Sequence, residues 1–128
     1  MKPIRWLGSS REDMRELPKP VRAELGFKLE QLEQGFTLAP PHAKPLAGYQ
    51  PAVDELVENH HGDTYRAIVT VRLEDAIYVL HAFKKKSKHG IGMTKQDQDL
   101  IAARLREAVT DHEDRRQRAR RGDQRDRP

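Results

Sequence analysis

The side chains best suited to chemistry gather around one stretch. Residues 76–83, Ala-Ile-Tyr-Val-Leu-His-Ala-Phe, are aliphatic, aromatic or β-branched around a single histidine, and they run straight into Lys84, Lys85, Lys86, Ser87 and Lys88. A core strand that emerges as a cationic strip holds positive charge on a rigid edge, an arrangement that suits a phosphate backbone. His81 lies inside that strand, and imidazole is the side chain that exchanges a proton near neutral pH. Strict alternation would place it on one face with Val79, Phe83 and Lys85. One strand earlier, Arg66 faces away from Tyr65, Ala67 and Val69, and a guanidinium can grip two phosphate oxygens at once. Each residue also has a plainer role, as a surface arginine, a hydrogen-bonded core histidine or a solvated lysine.

Other chemistries find little support. The chain has no cysteine, which excludes disulfides, thiolate metal sites and a cysteine nucleophile. His60 and His61 are adjacent loop residues without a third ligand at a recognisable spacing, and His89 is also in a loop, so no metal site is expected. Gly90-Ile91-Gly92 is a hinge-like turn before the last helix rather than a phosphate-binding loop, and no serine–histidine–acid signature occurs. No cofactor is expected.

The elements that must position these residues follow from periodicity. A chain of 128 residues is one domain by length, and its net charge of +4 favours an acidic partner. The N-terminus lacks the apolar run of a signal peptide, and no segment approaches the ~18 apolar residues of a membrane span, so a soluble, cytoplasmic protein is expected. Pro3 to Leu7 reads as an edge strand. Ser9 or Ser10 caps a short helix, Ser10 and Asp13 having capping spacing, with Met14 and Leu17 inward. Val21, Leu25, Leu29, Leu32 and Phe36 form the stripe of a second helix ending at Gly35, and the two helices are expected to form a hairpin over a sheet.

Residues 37–52, with Pro40, Pro41, Pro45 and Pro51, read as a long loop. Strands are expected over 53–59, 64–73 and 76–83, joined as an antiparallel meander. A last helix should begin after Thr94, whose spacing to Asp97 again suits a cap, and run to about Val109. Residues 111–128 carry almost nothing apolar. They are expected to form a frayed helix end and then disorder, leaving a domain of residues 1–110. The expected fold is α+β, in the order β-α-α-β-β-β-α, with an antiparallel sheet of about four strands.

The sequence resembles the RelE/ParE toxin superfamily. The resemblance rests on Lys44-Pro45-Leu46, Val53-Asp54-Glu55-Leu56, Tyr65-Arg66 and, above all, the run from Tyr78 to Ser87. That last run is similar to the phage-derived, HigB-like branch. The resemblance implies a RelE-like fold over about residues 2–110 and a type II toxin that cuts messenger RNA, usually on the ribosome. It also implies a cognate antitoxin, commonly a helix-turn-helix DNA-binding protein. Arg66 and Lys85 match positions that carry catalytic arginines in RelE-type toxins. His81 joins them as the titratable candidate, with Lys84, Lys86, Ser87 and Lys88 as RNA contacts.

RNA carries its own nucleophile, the 2′-OH, so fixed cations and a proton acceptor suffice without metal. The sequence departs from the family pattern in two places. Asp54-Glu55-Leu56-Val57-Glu58 stands where RelE-type toxins carry lysines, and the last helix has no matching tyrosine. Glu55 is placed to pair with Arg66 or a lysine across the sheet. A gyrase poison of the ParE type, or a degenerate toxin that only binds RNA or antitoxin, are the competing readings.

Overall fold

A computed structural model describes residues 2–85 and 93–125. Its elements are β1 (Ile4–Trp6), α1 (Ser10–Arg15), α2 (Lys19–Glu33), β2 (Ala43–Leu46), β3 (Val53–His60), β4 (Asp63–Thr70), β5 (Ile77–Lys84) and α3 (Lys95–Arg125). The fold is α+β, as expected. The sheet has five strands rather than about four, in the order β1-β5-β4-β3-β2, and it is mixed rather than antiparallel throughout, because β1 runs parallel to β5.

The extra strand lies inside the proline-rich stretch. Ala43 pairs with Leu56 and Leu46 with Val53, and the Val57 N–H donates to the His42 carbonyl at 3.0 Å. Pro45 has no ladder donor, and the sheet tolerates it because β2 is an edge strand. The β3–β4 turn closes His60 onto Asp63, with His61 at φ 49° and Gly62 at φ 80°. Two positive φ values are what a two-residue hairpin needs to match strand twist.

Helices cover both faces. On one face Val21, Leu25 and Leu29 of α2 and Met14 of α1 meet Leu56, Tyr65, Ala67, Val69, Ile77, Val79 and Ala82. On the other, Ile101, Leu105 and Ala108 of α3 meet Val53, Ile68, Tyr78, Leu80 and Phe83. Each of these larger apolar side chains contributes about 1.5–3 kcal/mol by leaving water. At α1 the N-cap is Ser9, one of the two serines expected there. Ser9 Oγ donates to Asp13 Oδ2 at 2.8 Å, while Ser10 is buried and donates to the Val79 carbonyl. Phe36 lies past the end of α2 and is 60% exposed, so the apolar stripe of that helix ends at Leu32.

The last helix does not end near Val109. It runs to Arg125, held by polar contacts that an apolar pattern cannot reveal. Buried Tyr78 donates to Asp111 Oδ2 at 2.7 Å, Arg5 meets the same carboxylate at 3.0 Å, and Asp75 receives Arg115 and lies 3.2 Å from His112 Nδ1. Burial first, and then its hydrogen bond to Asp111, push the Tyr78 phenol up to about 12.

Candidate active site

The site is built on the α3 face of the sheet, where two cross-strand rows lie side by side. One row runs Glu55–Ile68–His81, the next Val57–Arg66–Phe83. Arg66 Nη1 lies 2.9 Å from Glu55 Oε2, with both side chains largely buried. The N–H is not aimed along that line, so the contact is Coulombic rather than an aligned hydrogen bond, and Arg66 Nε is buried without a partner among the described residues. Glu55 therefore pairs with Arg66, the first of the two partners anticipated for it.

His81 reaches this face by a route that alternation does not give. Ile68 pairs with His81 and Val69 with Val79, so Leu80 is an extra residue, a β-bulge. The bulge puts Leu80 and His81 on the same side, and His81 does not share a face with Val79, which packs under α2. Its ring stacks on Phe83 at 4.6 Å. Buried Arg104 of α3 secures the distortion: Nη1 donates to the Leu80 carbonyl at 2.8 Å and Nη2 to Ser9 Oγ at 2.9 Å. Gly8, at φ +54°, lets that guanidinium pass; a Cβ there would meet Arg104 Nε at 2.6 Å.

Asp97 completes the site, and the sequence reading assigned it only to a cap. The Thr94–Asp97 spacing does form the cap, with the Asp97 N–H donating to Thr94 Oγ1 at 3.0 Å. The carboxylate is also shared: Oδ2 accepts from the Thr94 hydroxyl at 2.9 Å, and Oδ1 lies 3.0 Å from His81 Nε2. Burial would raise the Asp97 carboxyl, but the hydrogen bonds from His81 and Thr94 outweigh it and hold it below the ordinary carboxylate value. An ionised Asp97 accepts a hydrogen bond from Nε2–H, which leaves Nδ1, buried and without a partner among the described residues, as the lone-pair nitrogen.

The lysines divide. Lys84 pairs across from Tyr65, is exposed and lies 3.1 Å from Asp63, whose hydrogen bond raises the Lys84 ammonium. By alternation it projects away from Arg66. Lys85 extends the ladder through its N–H to the Thr64 carbonyl at 2.7 Å, is half-buried, and alternates onto the Phe83 side. Lys86, Ser87 and Lys88 lie outside the described residues. A groove of about 610 Å³ on the opposite face, lined by Leu32, Phe36, Leu38, Leu56 and Ile77, is remote from this chemistry.

The geometry thus joins an arginine held by Glu55 and a histidine oriented by a carboxylate. No described helix is long and apolar enough to cross a membrane. No curated protein matches the chain. The family model for the phage-derived Gp49-like proteins (DUF891) matches residues 12–106, which takes in α2, the whole sheet except β1, and the first turns of α3. With more than half its length matched, the chain belongs to the phage-derived Gp49-like family, a RelE/ParE-like toxin family of toxin–antitoxin systems.

Proposed function

We propose that this toxin, on the HigB-like branch, is a metal-independent endoribonuclease that cleaves messenger RNA, on the ribosome, in the cytoplasm. Its cognate antitoxin, a helix-turn-helix DNA-binding protein, silences it. The observation that carries this reading is the placement of Arg66 and the His81–Asp97 pair in adjacent rows of one sheet face. RNA supplies the nucleophile, so the protein needs a proton acceptor, a cation for the phosphorane charge and fixed geometry.

In this mechanism the incoming phosphate displaces Glu55 from Arg66, whose fork then spans two non-bridging oxygens. His81 Nδ1 takes the 2′-OH proton as that oxygen attacks phosphorus. The bond to the 5′-oxygen breaks and that oxygen takes a proton from solvent water, leaving a 2′,3′-cyclic phosphate and a 5′-hydroxyl. Asp97 steadies the imidazolium that forms, and Lys85 adds charge at the phosphate. Lys86, Ser87 and Lys88 are proposed as contacts to the strand from the sequence alone, and Lys84, which projects away from Arg66, takes no part in this mechanism.

A second reading, a toxin that binds without cutting and poisons gyrase, draws support from the same pair of contacts. Arg66 and His81 both have internal acidic partners, Glu55 and Asp97. Primer extension on cellular messenger RNA after induction separates the two. The nuclease reading expects discrete new stops and unchanged plasmid supercoiling. Intact messages with blocked supercoiling would overturn it.

A further inference from the structure

Beyond the family-matched segment, α3 carries a charge arrangement that the fold itself does not need. Residues 115–122 read Arg-Arg-Gln-Arg-Ala-Arg-Arg-Gly, five arginines without an acid. Arg115 is committed to Asp75 at 3.2 Å. Arg116, Arg118, Arg120 and Arg121 are exposed, and none has an ion-pair partner among the described residues. Ala119 is the only apolar side chain over residues 113–122, so burial contributes nothing there.

Arg116 and Arg120 stack at i,i+4, and Arg118 and Arg121 at i,i+3, spacings at which like charges destabilise a helix. The helix dipole favours cations only in the last turn, and Arg116, Arg118, Arg120 and Arg121 all precede that turn of α3. Four guanidiniums within roughly 8 Å of helix form a cationic rod, whose self-repulsion an anionic polymer would relieve.

We propose that Arg116, Arg118, Arg120 and Arg121 form a second nucleic-acid contact that binds the phosphate backbone, with RNA as its source. It goes beyond cleavage at the sheet, and it is tested without turnover so that the two can fail separately. The probes are a labelled 2′-O-methyl RNA duplex, which lacks the nucleophile, and a DNA duplex of the same length. The full-length chain is compared with a variant carrying Arg116→Gln, Arg118→Gln, Arg120→Gln and Arg121→Gln, since glutamine matches arginine in helix propensity.

Affinity is measured across a salt series. Four neutralised phosphates predict that the slope of log K against log salt becomes shallower by about 3 to 4 on duplex. A second variant with lysine at the same four positions should keep the original slope, which separates charge from folding. A slope lost on RNA, alone or with DNA, is the expected result. Loss on DNA alone would overturn RNA as the source, and unchanged slopes on both would overturn the contact.

Discussion

At the scale of single residues, two acids set the terms on which two bases work. Glu55 lies 2.9 Å from Arg66, so in the proposed mechanism a substrate phosphate has to compete with a largely buried carboxylate. Asp97 instead meets His81 from α3, and it does so while taking part in the cap of that helix. Its substitution by asparagine keeps a group able to accept from the Thr94 hydroxyl but removes the charge that fixes the imidazole tautomer. Asp97→Asn should lower kcat about 10–100-fold with KM for RNA unchanged and with little loss of Tm. Asp97→Glu should recover part of that loss. A matching rise in KM, or a collapse of Tm, would show that Asp97 serves only the fold. Strand context singled out Arg66 and His81 as candidates, and the spacing from Thr94 gave Asp97 only as a cap. The second role depends on which carboxylate oxygen meets a residue 16 positions away, and no local spacing encodes that.

At the scale of elements, what was legible was what periodicity writes. The stripe of α2, the meander β3–β4–β5 and the start of α3 all follow apolar spacing and cap chemistry. Three features escaped because other forces set them. β2 sits among prolines and is a strand only because β3 offers a ladder. The Leu80 bulge rests on a carbonyl satisfied by Arg104 from another helix. The length of α3 past Val109 rests on Tyr78, Asp75 and Arg5 gripping its polar turns. The Tyr78 anchor has a pH signature. Its phenol is pushed from 10.0 up to about 12, so the folded state holds a proton that the unfolded chain releases first. The stability it gives is complete below the unfolded value near 10 and is lost as pH rises toward about 12. Thermal melts over that range should show a steeper decline for the wild-type chain than for Tyr78→Phe. Parallel declines would mean that the phenol is not coupled to folding.

At the scale of the whole molecule, the two sheet faces divide the labour. The α2 face is apolar core with an open groove, and the α3 face combines core with Glu55, Arg66, His81 and Asp97 at its far end. Membership in the Gp49-like toxin family stands beside a sheet face that holds two largely buried pairs, Glu55–Arg66 and His81–Asp97. The claim at the centre is that Arg66 and His81 act on one phosphodiester through attack by its own 2′-OH. Its most direct test is the chemistry of RNA ends in cells expressing the wild-type chain or a soluble Arg66→Ala variant. The account predicts discrete cuts that leave 5′-hydroxyl and 2′,3′-cyclic phosphate ends, reduced at least about 100-fold by the substitution. Undiminished cutting by Arg66→Ala, or cuts that leave 5′-phosphates, would contradict it.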